Sequence, residues 1–226
     1  MTAPRPRITL DRPWLEFDLG APMQVLSWAL DRPGLVRARR ILWREVRNAD
    51  LPQDLDVGAW LADELAARGA EDAVTFLTSR DIRAHDTASA RAGAVHAQAV
   101  ATVGLSNAER VGHRVDRTGH DWGTINVALH VDCGLSEAAL LELLAIAVQA
   151  RTAAVMDVNL PLAPGRATGT GTDCVAVAAP QGAGQYAGLH TDAGEAAGRA
   201  VYDAVLAGAR CWMDTVRRPE DTSLRA

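Results

Sequence analysis

Two short segments hold most of the side chains in this sequence that could do chemistry. Thr168-Gly169-Thr170-Gly171-Thr172-Asp173 offers three hydroxyls and a carboxylate around two glycines. Glycines let a backbone approach a ligand and can present N–H groups as an anion-binding nest. Asp173 can hold a water, accept a proton or orient the Thr170 or Thr172 hydroxyl. Gly123-Thr124-Ile125-Asn126 is the second segment. On a strand Thr124 and Asn126 share one face, and a buried Asn126 must find partners. The plain alternative is that both segments are turns entering strands, with Asp173 capping backbone amides and Asn126 tied to a neighbouring loop.

Six histidines are scattered along the chain. None is paired at helical ligand spacing, so no metal site is expected. His120 and His190 stand in loops bordering the polar segments, where each can move a proton, contact a ligand or simply bond its own loop. Arg110, with the arginines between Arg37 and Arg44, can meet an anionic or amide-rich ligand or form a solvated face. Several chemistries lack their signatures. There is no Gly-x-Ser-x-Gly elbow, no His-Glu-x-x-His, and the Gly-Thr run lacks the lysine of a phosphate-binding P-loop.

Both polar segments lead into apolar runs, Val127–Val131 and Cys174–Ala179, within strands read over Thr124–Val131 and Asp173–Ala179. Between them Ser136 caps an apolar helix over Glu137–Asp157, apolar almost all round and so deeply buried or at a homodimer face. Alternation predicts a strand over Trp14–Leu19, a turn at Gly20-Ala21-Pro22 and a second strand over Val25–Leu30. Leu35–Val46 is expected as a strand after Pro33-Gly34, although it can also be drawn as an amphipathic helix. Asp56 and Gly69 bracket a helix Val57–Arg68. Strands are expected at Ala73–Thr78 and Val95–Leu105, with a polar stretch at Ser79–Arg91 between them. Gly104–His113 and His113–Trp122 read as loops, as does Pro161 to Gly165. A last helix covers Ala193–Val216, with Asp192 and Glu195 spaced as a capping box. About seven strands and three helices without strict β-α-β alternation indicate an α+β fold of mixed α/β layers. No linker divides residues 1–226, so one domain is expected, with flexible ends at 1–12 and 218–226.

The chain has 226 residues and a net charge of −5 with no long run of one sign. That balance argues against binding nucleic acid or an anionic membrane. Cys133, Cys174 and Cys211 are odd in number and widely spaced, which fits a reducing compartment. The N-terminus lacks the apolar stretch of a secretory signal, and no polar-free window of membrane-spanning length stands out. A cytoplasmic protein is expected. Six tryptophans stand against two tyrosines and two phenylalanines, so each tryptophan matters to packing or to a site.

Thr102-Val103-Gly104-Leu105-Ser106-Asn107-Ala108, Gly123-Thr124-Ile125-Asn126, Ser136-Glu137-Ala138-Ala139-Leu140 with Ala150-Arg151-Thr152-Ala153-Ala154, Ala167–Asp173 and Tyr186-Ala187-Gly188 occur in that order. Together they resemble the ordered motifs of the adenosylcobinamide amidohydrolases, the CbiZ family, from about Val95 to Val205. The resemblance implies hydrolysis of the amide joining the corrin side chain to aminopropanol, giving adenosylcobyric acid for corrinoid salvage or remodelling. It implies that the corrinoid is substrate and that no cofactor is needed. Carried onto this chain, it favours Asp173, Thr172, Thr170 and Asn126 as catalytic candidates, beside His120 and His190, which are candidates from their loop positions. Asp173 would serve as base or orienter, the Gly169–Thr172 amides with Asn126 would hold an oxyanion, and a histidine would protonate the amine. Gly104, Ser106, Asn107, Arg110, Trp122, Thr124, Thr168, Gly169, Gly171 and Tyr186 become the substrate-binding candidates. The chain departs from the family pattern at Gln149 and Arg151, at His113 and at Asp31-Arg32-Pro33-Gly34. A corrinoid-binding protein without hydrolysis, or a nucleotide- or phosphate-binding enzyme, are the other classes these residues admit.

Overall fold

The site lies at one end of a sheet that folds back over itself. The computed structural model describes residues 6–52, 54–116 and 122–217. Strand β1 (Arg7–Asp11) pairs antiparallel with the start of β2 (Trp14–Ser27), and β2 pairs along its length with β3 (Gly34–Glu45). Helix α1 (Val57–Arg68) leads to β4 (Val74–Thr78), which joins β3 in parallel. A hairpin, β5 (His85–Ala92) and β6 (Val95–Val103), is followed by the two-residue β7 (Ala108–Glu109) and by β8 (Ile125–Val131). Helix α2 (Glu137–Val158) precedes β9 (Pro161–Leu162), β10 (Gly165–Arg166) and β11 (Gly169–Thr170). Then come β12 (Cys174–Ala179) and helix α3 (Asp192–Thr215). The main sheet runs β4-β3-β2-β12-β8-β6-β5, with β1 beside β2.

The expected α+β layering is what forms, and several local readings change. Trp14–Leu19 and Val25–Ser27 belong to one strand, not two, and the expected Trp28–Leu30 portion lies beyond its end. Gly20 takes a positive φ of 84° and the register shifts between Asp18 and Met23, so the expected turn is a bulge inside β2. The polar stretch Ser79–Arg91 contains the edge strand β5, whose exposed face hid its period. Residues 7–11, read as part of a flexible end, are held as β1 by the free edge of β2. Pro161 to Gly165, read as a loop, contains the paired arms of β9 and β10. The cap of α3 is Thr191, which accepts from the Gly194 amide, rather than Asp192. Asp56, Ser136 and Gly69 cap as expected. Residues 117–121 and 218–226 lie outside the described residues. One expectation about length is corrected too: α2, at 22 residues, is long and apolar enough to cross a membrane. In this fold its Leu140, Leu143, Ala147 and Val155 pack in the core with β12 and α3.

The bulge explains the overall arrangement. The first half of β2 pairs with β1 and the second half with β12, so the sheet turns at the bulge and its two halves face each other. Leu15, Phe17, Ile41, Trp43 and Phe76 from one half meet Val100, Ala128 and Ala176 from the other in a shared core. Helices α2 and α3 cover the outer face of the second half, and α1 covers the first through Trp14, Leu42, Leu61 and Leu65. The closure brings Leu77 of β4 to Asn126 of β8, whose Nδ2 donates to its carbonyl at 2.8 Å. Three strands separate β4 and β8 in the sheet order.

At the far end of β8, His130 is 6% exposed, and burial lowers its pKa from 6.5 to about 4. The unfolded chain therefore takes up a proton that the folded chain refuses between those two values, so stability falls as pH falls through that window. The loss amounts to roughly 3 kcal/mol and levels off once the folded ring also protonates. Urea midpoints measured from neutral pH down to about pH 4.5 are expected to fall, and His130→Gln is expected to flatten that part of the decline.

Candidate active site

Strands β8 and β12 are parallel neighbours with Asn126 opposite Cys174. The two polar segments that enter them therefore lie side by side. Asp173 ties them together. Its Oδ1 accepts from the Ile125 amide at 3.1 Å and the Thr170 hydroxyl at 2.5 Å. Its Oδ2 accepts from the Thr170 amide at 3.0 Å and from Arg151 Nη1. A carboxylate has about four lone-pair sites, so Asp173 is fully engaged. The Thr170 bond has the length of a charge-assisted O–H···O⁻ contact.

Arg151 is the sole cation of α2, and its side chain is 12% exposed against 7% for Asp173. Burial lowers the pKa of the guanidinium, and the Asp173 carboxylate beside it offsets the cost of keeping the charge there. Gly169 makes this pairing possible. A Cβ at that position would overlap both Arg151 Nη1 and Asp173 Oδ2. Gly169→Ala is expected to cost about 1–3 kcal/mol through this overlap, read as a lowered midpoint in denaturant titration. No loss of stability would mean that the pair yields without cost.

The neighbouring segment is stitched to the loop by hydroxyls. Thr124 Oγ1 donates to the Thr172 carbonyl at 2.8 Å and lies 3.2 Å from Asn126 Oδ1. Thr172 Oγ1 donates to the Gly123 carbonyl at 2.9 Å. Asn126 is 1% exposed, and one hydrogen of its Nδ2 goes to Leu77, leaving a second. Behind this layer the Gly123 amide donates to Asn107 Oδ1 at 3.1 Å, and the Gly104 amide to the Thr124 carbonyl at 2.9 Å. A Cβ on Gly123 would stand 2.8 Å from both Gly104 O and Ser106 N, so close packing alone requires glycine there. The Thr170 and Thr172 amides bond to Asp173 and to Thr170 Oγ1 within the loop, so these two are turned away from any anion.

The 168–173 loop stands between two clefts, and Gly171 lines both. The first, about 520 Å³, has Thr124, Asn126, Thr172 and Asp173 at its base. Trp28 and Trp122 line it as well and are 46% and 57% exposed. Trp28 Nε1 donates to the Asp173 carbonyl at 2.9 Å, and Ser79 Oγ donates to the Trp122 carbonyl at 3.1 Å. Both tryptophans are thus anchored by their surroundings while keeping large surfaces open. The second cleft, about 540 Å³, is lined by Arg110, His113, Arg114, Arg151, Thr168 and Thr170. Arg110 Nη1 donates to the Arg166 carbonyl at 3.0 Å, and Thr168 Oγ1 accepts from the Val111 amide at 2.8 Å.

The fold thus gathers Asp173, Thr172, Thr170, Asn126, Thr124, Thr168, Gly169, Gly171, Arg110 and Trp122 around one loop. Gly104, Ser106 and Asn107 stand behind it, supporting Gly123. Tyr186 and His190 are at the opposite end of the sheet, in the segment that folds over the start of α2. There the Ser136 amide donates to the Gly184 carbonyl at 2.8 Å, and the Ala187 amide to Glu142 Oε2 at 2.7 Å. His120 lies outside the described residues. Two participants escaped the sequence reading. The pairing of Arg151 with Asp173 was signalled only by a lone cation in an apolar helix. Trp28 was signalled only by the general scarcity of aromatic residues.

A family model described as CbiZ, adenosylcobinamide amidohydrolase, matches residues 2–216. No curated protein matches the chain.

Proposed function

Because the chain belongs to the adenosylcobinamide amidohydrolase family, we propose that it hydrolyses the aminopropanol amide of adenosylcobinamide, releasing adenosylcobyric acid. The observation that carries this reading is the first cleft, where two exposed tryptophans stand beside a base of hydroxyls, an amide and a carboxylate. A corrin is broad, flat and apolar with amides around its rim. Aromatic faces suit the ring, and polar groups suit the rim.

Amide hydrolysis needs a nucleophile, stabilisation of the oxyanion and a proton for the amine. Thr170, which lines the second cleft, is the proposed nucleophile, and the aminopropanol amide reaches it across Gly171, which lines both clefts. The Thr170 hydroxyl already points its proton at Asp173 Oδ1. In the proposed sequence Thr170 Oγ attacks the amide carbon and its proton passes to Asp173. The carbon–nitrogen bond then breaks as Asp173 returns that proton to the departing amine, and water later hydrolyses the threonine ester. Asp173 is an acceptor for the hydroxyl rather than for free water, because its other lone pairs are occupied. Arg151 fixes the carboxylate, as the third group of a nucleophile–base–orienter set does. The free hydrogen of Asn126 Nδ2, in the first cleft, is the proposed partner of an amide on the rim of the corrin.

The test is incubation of the purified protein with adenosylcobinamide, with chromatography of the corrinoid and assay of aminopropanol. Equal amounts of adenosylcobyric acid and aminopropanol are expected. Corrinoid binding without either product would overturn hydrolysis and leave a binding protein.

A further inference from the structure

The end of the sheet away from the 168–173 loop contains an unexplained polar surface. Residues two apart on a strand share a face. His96 and Gln98 of β6 therefore share the face of Val100, and His130 of β8 shares that of Ala128. Val100 and Ala128 belong to the apolar core between the two halves of the sheet. Toward this end the same face becomes polar: Gln98 is opposite His130 in the register, and Arg91 is opposite His96. These four residues line a cavity of about 810 Å³ whose other walls include Leu19 and Met23.

His130 is the telling member. It is 6% exposed, and its Nδ1 has no hydrogen-bond partner. A buried polar atom left without a partner is costly, and such atoms are few in native proteins. Asp132, which also lines the cavity, accepts from the His96 amide through Oδ1 at 2.8 Å and makes no hydrogen bond to His130 Nδ1. Arg91, and Arg37 from β3, also line the cavity, are exposed, and enter no ion pair among the described residues. The cavity thus combines an apolar wall, hydrogen-bonding groups at His96, Gln98 and His130, the Asp132 carboxylate, and two guanidiniums that enter no ion pair among the described residues. Guanidinium pairs favourably with carboxylate and phosphate.

We propose that this cavity is a second binding site, for a small organic anion whose charged group is a carboxylate or a phosphate. The apolar body of the ligand would lie against Leu19 and Met23, its anionic group would meet Arg91 and Arg37, and His130 and Gln98 would supply polar contacts. The site is separate from the amide-hydrolysis cleft: Asn126 and His130 are four residues apart on β8, or about 13 Å.

The experiment is a titration of the full chain with benzoate, phenyl phosphate and, as the neutral control, benzyl alcohol. It is followed by NMR of the Met23 methyl, the His130 ring and the tryptophan indoles. Saturable shifts at Met23 and His130 are expected for at least one of the two anions, at about millimolar concentration or below, with the indoles of Trp28 and Trp122 unmoved. Response to benzoate alone identifies a carboxylate ligand, and response to phenyl phosphate alone a phosphate ligand. Arg91→Ala, at an exposed edge position, is expected to raise Kd at least about tenfold, and His130→Gln to weaken binding while leaving the fold intact. Three results would overturn the proposal: no saturable shift up to about 10 mM, equal binding of benzyl alcohol, or an Arg91→Ala variant that binds the anions as tightly as the parent.

Discussion

Thr170→Val is expected to lower kcat for aminopropanol release by about 10²- to 10⁴-fold, with KM for adenosylcobinamide nearly unchanged. The substitution keeps the shape of the side chain and removes its hydroxyl. The lost group is the one 2.5 Å from Asp173 Oδ1, and Asp173 retains its bonds from Ile125, the Thr170 amide and Arg151. Ground-state binding of the corrin, assigned to the Trp28 and Trp122 side, should therefore survive while the chemical step fails. Thr170→Ser restores a hydroxyl and is expected to stay within about tenfold of the parent. Thr172→Val is the comparison that separates chemistry from architecture. Its hydroxyl is committed to the Gly123 carbonyl, so the loss should appear first as reduced stability of the loop. If Thr170→Val retains activity within a few-fold of the parent, Thr170 is not the nucleophile, and the Asp173–Arg151 pair holds the loop in place without moving a proton.

The unequal legibility of this site has a physical basis. Each polar segment was recognisable because hydroxyls, an amide and a carboxylate interrupt apolar strand patterns, and such local contrasts survive in a linear sequence. Their meeting was less legible. It depends on β8 and β12 being parallel neighbours, which is a fact of sheet order rather than of any local period. The contact of Asn126 with Leu77 was further out of reach, since it needs the bulge of β2 to turn one half of the sheet over the other. Gly20-Ala21-Pro22 was visible as a break, but a bulge and a turn use the same residues, and only pairing on both sides distinguishes them. Tyr186 and His190 illustrate the opposite error. They follow the Asp173 strand closely in sequence, yet β12 carries the chain across the sheet before reaching them. Trp28 ends up on the cleft by the same logic, because the end of β2 lies beside the start of β12.

Arg151→Met is expected to produce the largest loss of stability, about 3–5 kcal/mol. The variant keeps an unbranched chain of similar reach in α2 and removes the charge. Asp173 is then a buried carboxylate facing three remaining donors, at Ile125 and at the amide and hydroxyl of Thr170. Hydrogen bonds soften the penalty, but they do not replace the opposite charge, and Asp173 has little exposed surface through which water could do so. For a chain of this size such a change corresponds to a fall in Tm on the order of 10 °C. The effect should depend only weakly on salt, because a buried pair is poorly screened. Arg151→Met with Asp173→Asn supplies the decisive comparison. Removing both charges should recover part of the stability lost in Arg151→Met, because the double variant no longer buries an uncompensated carboxylate. The double variant should nevertheless remain inactive, since the carboxamide cannot take the Thr170 proton. If Arg151→Met alone costs less than about 1 kcal/mol, the pair behaves like an exposed one, and the loop must owe its shape to its hydrogen bonds and to Gly169 instead.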